Sequence, residues 1–384
     1  MGFCFQVGKP SMRELYIGLM SGTSLDGIDA AVVAIDDTSI ELLASHEHPI
    51  PNSIRQQVLT MCIGQPTSLP AVGLLDHQLG HLYADAVNAL LTRSGLHAEQ
   101  ITAIGNHGQT VYHQPSGEYP FTMQLGDANL IAAITGIDTI ADFRRLDMAL
   151  GGQGAPLVPA FHQFLFGQQD STNIVLNIGG IANLSVLPAK GEVIGFDTGP
   201  GNMLMDAWCE KHIGAPFDQD AALAMQGSLI PRLLRQLLSD PYLSMPAPKS
   251  TGREHYNLAW LEAQLESGDS AADVQRTLCE FTAQSIALHV IPYQQGLQCR
   301  LSLCGGGAHN PLLVERLKAL LPDWQLKLTS DLGVDADFME AMAFAWLARQ
   351  KVHNLPSNLP AVTGARCPAS LGVIYPAIKD CYES

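Results

Sequence analysis

The sequence predicts an α/β protein made of two related halves, and three observations predict it. A strand enters a glycine-rich turn and a second strand leaves it at residues 15–35, and the same pattern recurs at 174–187. Helical periodicity follows each of these regions, as it does where strands and helices alternate along an α/β chain. The chain has 384 residues, 47% of them hydrophobic, which is too long for one ordinary core and apolar enough for two.

Taken in order, residues 15–20 are the first apolar run. Gly22 and Gly27 bend the chain before a second run at 30–35, and a third strand is expected at 40–43. Helices are expected at 52–63 and 73–93. The second is read from Leu74, Leu75, Leu79, Leu82, Ala86 and Leu90, which recur at helical spacing. Short strands follow near 101–105, 120–125 and 137–141. In the second half, strands are expected at 174–177, 184–187 and 193–197, and helices near 201–213, 257–266 and 271–291. A strand at 300–304 and helices near 310–321 and 335–350 complete it. The boundary falls near residue 140. Residues 1–11 form a short N-terminal extension with Met12 as an alternative start; 12–140, joined by 366–384, form the first domain, and 141–365 the second.

Charge narrows the function classes. Lys and Arg number 21 against 37 Asp and Glu, a formal net charge of −16. Nucleic acids and anionic membranes need clustered positive charge, so neither is expected as a partner. A small anionic substrate stays open, because backbone amides and a metal ion neutralise it locally. The eight cysteines (Cys4, Cys62, Cys209, Cys279, Cys299, Cys304, Cys367 and Cys381) form no C-x-x-C pair, which suits a reducing cytoplasm. No apolar run reaches the length of a membrane span, and no signal peptide is read at the N-terminus.

The sharpest local signal is Gly22-Thr23-Ser24-Leu25-Asp26-Gly27-Ile28-Asp29. Its glycines allow close backbone approach, its hydroxyls add donors, and a nest of N–H groups suits phosphate oxygens. Asp26 and Asp29 repel phosphate directly, so at least one, Asp26 first, is read as a metal ligand. A hairpin turn capped by its own hydroxyls is the plain alternative. Gly179-Gly180 and Gly305-Gly306-Gly307 are two further glycine turns, each after an apolar strand, the second opening a helix. No G-x-G-x-x-G, Walker A or G-x-S-x-G pattern is present, which speaks against a Rossmann dinucleotide site, a P-loop and a serine hydrolase.

Phe196-Asp197-Thr198-Gly199-Pro200-Gly201-Asn202 sets a carboxylate at a strand end beside a stiff turn. Asp197 is read there as a general base, with a helix cap as the alternative. Two polar segments, Gly105-Asn106-His107-Gly108-Gln109-Thr110 and Asp142-Phe143-Arg144-Arg145-Leu146-Asp147, cluster hydrogen-bonding groups beyond what a plain strand end needs. Arg144 suits a carboxylate clamp, or a structural Arg–Asp pair.

These motifs, with Gly151 to Pro159, Asn177 to Asn183, Lys249-Ser250-Thr251-Gly252-Arg253-Glu254 and Thr363-Gly364-Ala365, resemble in order the anhydro-N-acetylmuramic acid kinases. Arg366-Cys367 departs from the Ser-Arg expected after Thr-Gly-Ala. The resemblance implies two related domains of the sugar kinase/Hsp70/actin (ribonuclease H-like) type flanking an ATP cleft. It implies a cytoplasmic kinase of peptidoglycan recycling that uses ATP and Mg²⁺. Water would open the 1,6-anhydro ring while O6 is phosphorylated, giving N-acetylmuramic acid 6-phosphate. Asp197 would be the base. Residues 22–29, Gly179, Gly180 and Gly305 to Gly307 would meet ATP, and Asn106, His107, Gln109, Asp142, Arg144 and Asp147 the sugar. Glu340 is a second metal-side carboxylate or a surface helix position, and a homodimer is left open. A nucleotide-gated binding protein and an ordinary sugar kinase are the rival readings.

Overall fold

The computed structural model describes residues 13–378 apart from 23, 24, 26, 63, 169, 248 and 333. The expectations for residues 1–11, for Thr23, Ser24 and Asp26, and for 379–384 therefore lie outside the described residues. The chain divides into two units, Met1–Leu165 with Gly333–Ser384, and Phe166–Leu332.

The first unit begins with β1 (Glu14–Met20), β2 (Gly27–Ile35) and β3 (Ile40–Pro49). They are followed by α1 (Asn52–Cys62), α2 (Leu69–Ser94), β4 (Ile101–Asn106), β5 (Gln109–Gln114), β6 (Phe121–Leu125), α3 (Ala128–Thr135), β7 (Thr139–Ala141), α4 (Arg145–Ala149) and α5 (Val158–Phe166). The second unit holds β8 (Asn173–Ile178), β9 (Ile181–Leu187), β10 (Ile194–Pro200), α6 (Met203–Ile213), α7 (Pro231–Leu238), α8 (Leu258–Glu262), α9 (Ala271–Val290), β11 (Arg300–Cys304), α10 (Pro311–Leu320) and β12 (Gln325–Leu328). The chain then returns to the first unit as α11 (Met339–Val352), α12 (Pro360–Thr363) and β13 (Val373–Tyr375).

The two sheets share one plan. The first runs β13-β7-β4-β1-β2-β3 and the second β12-β11-β8-β9-β10. In each, three successive strands pair antiparallel, and the next two are added in parallel beside the first strand. Parallel additions need crossovers, which the helices supply. β13 adds an antiparallel edge to the first sheet, and β5 and β6 make a separate hairpin.

α2 shows how the sequence sets element ends. Ser68 caps it by accepting the Ala71 N–H, Pro70 stands in its first turn, and Gly95 ends it at φ 70°. It therefore starts four residues before the expected 73. Leu75, Leu79, Tyr83, Val87 and Leu90 bury one of its faces against Ile17, Leu19, Ile28 and Val32 of the first sheet. In the second unit, Val274, Leu278, Phe281 and Ile286 of α9 pack with Leu313 and Leu317 of α10 over Ile174, Leu176, Leu301 and Leu303.

The division differs from the boundaries expected at 140 and 365. β7 ends at Ala141 and pairs with both β4 and β13, so the chain is still inside the first sheet there. α5 stays with the first unit through Phe161 against Trp346 of α11. α11 itself lies against β1 and β4 because a Cβ on Gly18 would stand 1.7 Å from the Ala341 carbonyl oxygen, and one on Gly105 2.0 Å from that of Phe344. Gly18 and Gly105 are register partners, so together they open one slot for the helix backbone. Among the described residues no helix is long and apolar enough to cross a membrane.

Candidate active site

The parallel strands β1, β4 and β7 end at Met20, Asn106 and Ala141, and loops leaving such strand ends are where α/β sheets receive ligands. Asn106, His107 and Asp142 line a cavity of about 320 Å³ with Gly126, Asp127 and Tyr375. Asn106 is fixed at both ends of its amide: Oδ1 accepts the Gly108 N–H at 3.1 Å, and Nδ2 donates to the Gly126 carbonyl at 3.4 Å. Arg144 donates to His107 Nε2 from Nε (3.1 Å) and Nη2 (2.9 Å), which leaves the ring proton on Nδ1. Burial, reinforced by the Arg144 cation, holds His107 well below its ordinary pKa and therefore neutral.

The other three sugar-side candidates stand behind this lining. Arg144 spends its remaining reach on the Gly154 carbonyl at 2.7 Å, and burial lowers its pKa to about 10, still charged at neutral pH. It is therefore a support for His107, and Arg145 is the one paired with Asp142, at 2.6 Å. Gln109 accepts from the Ser21 hydroxyl at 2.6 Å and donates to the Thr110 carbonyl, tying the turn after β1 to β5. Asp147 is fully buried and accepts from Gly154 N–H (2.8 Å), Asn358 Nδ2 (2.7 Å) and Thr363 Oγ1 (2.8 Å). With those three donors on its oxygens, Asp147 fastens the glycine loop to the returning chain; direct contact with substrate, the role expected of it, does not fit that burial.

In the turn after β1, Leu25 has φ 58° and its N–H reaches the Gly22 carbonyl at 3.3 Å. Leu25 and Ile28 belong to the core and are buried, so the accessible part of the described turn is its glycines and Asp29. Gly22 and Gly27 are partly exposed. Burial pushes Asp29 up to about 6, and Glu47, Glu340 and Asp337 add to the shift. Glu340 has an exposed side chain in the first turn of α11, yet the protein around its carboxyl raises its pKa while Arg144 lowers it. Among the described residues no three His, Cys, Asp or Glu side chains gather as a metal site.

In the second unit the turn at 179–180 and the turn at 199–201 are knitted together by backbone. Asn202 donates to the Gly179 carbonyl at 2.8 Å and Gly201 to that of Gly180 at 2.9 Å. A Cβ on Gly201, Gly305 or Gly307 would approach neighbouring atoms to 2.2 or 2.3 Å. Packing alone demands glycine there. At Gly179, Gly180 and Gly306 the nearest atom would stand at 3.5 Å or farther, so folding makes no such demand. Gly306 and Gly307 border a cavity of about 430 Å³ with Asn202, Met205, Asp206, Phe217 and Asp218. Asp206 is pushed up to about 6 by burial. The loop at 305–307 does not open α10 directly: residues 306–309 form a single 3₁₀ turn, and Asn310 then caps α10 by accepting the Leu313 N–H at 3.0 Å.

Asp197 lies on β10 beside a bulge, where the pairing with β9 slips between Asp197 and Gly199. It caps no helix. Its Oδ2 accepts the Thr251 N–H at 3.0 Å, its own N–H donates to the Lys249 carbonyl at 3.1 Å, and its carbonyl accepts the Tyr242 hydroxyl at 2.8 Å. Burial raises its pKa and the Thr251 bond opposes the rise. Such a carboxylate is half-buried, oriented and more basic than an exposed one. Three groups of the second unit leave little trace in the sequence: Asp206 sits at helical spacing from Asn202, whereas the burial of Lys249 and His289 has no local signal.

A duplicated sheet of this order, with glycine turns at its strand ends and an oriented carboxylate on the second copy, defines the sugar kinase/Hsp70/actin class. The family model for anhydro-N-acetylmuramic acid kinase matches residues 14–377. A relative of that name from Vibrio cholerae serotype O1 is 65% identical over 94% of this chain and 98% of its own. Others from Photobacterium profundum and Pasteurella multocida are 58% and 55% identical over 95% of this chain, covering 99% and 97% of theirs. The chain belongs to the anhydro-N-acetylmuramic acid kinase family.

Proposed function

We propose that this chain is a cytoplasmic ATP-dependent kinase of peptidoglycan recycling. It takes 1,6-anhydro-N-acetylmuramic acid, water and ATP to N-acetylmuramic acid 6-phosphate and ADP. Asp197 carries the reading. One of its oxygens is tied by Thr251, and Oδ1 has no hydrogen-bond partner among the described residues. That oxygen takes a proton from the water attacking the anomeric carbon. Cleavage of the C1–O6 bond then frees O6 as the phosphoryl acceptor, so ring opening generates the nucleophile.

The rest is positioning and charge neutralisation. Asn106, His107 and Asp142 hold the sugar, with Arg144, Gln109 and Asp147 supporting them from behind. Gly179, Gly180 and Gly306, which folding leaves free to be other residues, leave their backbone clear for phosphate, and the cavity beside Asp206 and Phe217 takes the nucleoside. Asp29 and Glu340 fit a magnesium ion, which characteristically takes one or two carboxylates plus phosphate oxygens and water. Asp26 is a further candidate ligand from the sequence. Bound Mg²⁺ supplies charge neutralisation on the phosphates.

The test is mass spectrometry of the product formed from 1,6-anhydro-N-acetylmuramic acid, Mg²⁺ and ATP in ¹⁸O-labelled water. The expected product carries a phosphate and one labelled oxygen. Phosphate without label would make the chain an ordinary sugar kinase; ATP binding with no product would favour a nucleotide-gated binding protein.

A further inference from the structure

Lys249 is 8% exposed, an unusual place for an ammonium group. Its Nζ donates to the Tyr242 carbonyl at 2.9 Å, to the Leu243 carbonyl at 3.2 Å and to His289 Nε2 at 2.8 Å. An ammonium has three N–H donors, so all three are matched and the group is fixed in orientation. His289 accepts because its Nδ1 donates to the Ser285 carbonyl at 2.6 Å, and burial keeps the ring neutral. A position that needed only to be filled would be served by methionine or leucine, without the desolvation cost of a cation.

All of these contacts converge on Asp197. The Lys249 carbonyl takes the Asp197 N–H, Thr251 two residues later holds Oδ2, and the Tyr242 hydroxyl holds the Asp197 carbonyl. Tyr242 is itself fastened by Lys249, through its carbonyl and with the ammonium 4.5 Å from its ring centre. We propose that Lys249, braced by His289, is the positioning residue of the general base, and this rests on Asp197 being that base. It touches no substrate. It fixes the short segments that grip Asp197 on three sides and, among the described residues, leave Oδ1 without a partner.

The test is steady-state kinetics of Lys249→Met, Asp197→Asn and the double variant with 1,6-anhydro-N-acetylmuramic acid and Mg·ATP. The melting temperature of each is followed in parallel. Misplacing a reacting group by an ångström costs on the order of 100-fold, so Lys249→Met should lower kcat by roughly 10- to 100-fold. KM for both substrates should stay within about twofold, because the binding groups are untouched. In the Asp197→Asn background the same change should cost nothing further, since Lys249 acts only through that carboxylate. Equal losses in both backgrounds, or a rise in KM with kcat unchanged, would overturn the proposal and leave Asp197 as base. An Asp197→Asn enzyme of wild-type rate would overturn the base itself, and the proposal with it. If Lys249→Met does not fold, Tyr242→Phe removes only the hydroxyl to Asp197 and takes its place, with the same non-additivity expected.

Discussion

Gly105 in the first unit and Gly180 in the second stand near the ends of equivalent sheets, and they meet different needs. A Cβ at Gly105 would lie 2.0 Å from the backbone of α11, whereas at Gly180 it would meet only the Met203 Cβ at an ordinary 3.7 Å. The first unit uses glycine to bring a helix onto the sheet. The second uses some glycines to pack turn on turn and keeps others that its own packing does not require. What surrounds a glycine after a strand therefore decides whether packing requires it.

The largest expected effect separates chemistry from architecture. Asp197→Asn should lower kcat by ~10²–10⁴-fold while leaving the melting temperature nearly unchanged, because the amide keeps an oxygen for the Thr251 N–H. Gly105→Ala should have the opposite profile. It pushes a methyl into the Phe344 carbonyl and should cost about 3 kcal/mol, read as a lower urea midpoint at constant m. Gly180→Ala should leave stability within about 0.5 kcal/mol. Calorimetry should show ATP affinity falling roughly tenfold, equivalent to about 1.4 kcal/mol. An unchanged affinity would place Gly180 with the packing glycines after all.

The smallest effect concerns Asp206. Its native pKa of about 6 lies above the ordinary value of about 3.9. Between those values the native state binds more protons than the unfolded state, so stability falls as pH rises through that window. Asp206→Asn lacks this loss. Without nucleotide it should melt above the wild type at pH 7, and the gap should narrow by pH 5. A gap independent of pH would mean that the aspartate is not held protonated by its site.

The motifs that led to the site are those in which the backbone states its own requirement. Residues 22–29, 179–180 and 305–307 are glycine turns, and the Asp197 segment is a strand end stiffened by Gly199-Pro200-Gly201. α3 was not expected between the strands at 120–125 and 137–141, although its ends are marked: Asp127 caps it by accepting from Asn129 and Leu130, and Gly136 ends it at φ 69°. That Asp-to-Gly frame marks a helix of eight residues, too short for periodicity to declare. β12 alternates Gln-Leu-Lys-Leu over only four residues and β13 has three, both too short to stand out, and each is held by the neighbouring strand that pairs with it.

The division of labour among the polar candidates was out of reach of the sequence. Asn106, Gln109, Arg144 and Asp147 sit in similar polar segments, yet only Asn106 lines the cavity. Asp147 is sealed by residues 211 and 216 positions away, and Arg144 is directed by a histidine 37 positions earlier. The sequence by itself determined the α/β class, the duplication, the glycine turns and the base candidate, because each depends on the conformational demands of a few consecutive residues. The tertiary structure alone decided which glycines packing requires, where the chain crosses between units, and that a buried lysine stands behind Asp197. Those outcomes depend on burial and on partners distant in the chain, which set the cost of leaving a polar group unpaired.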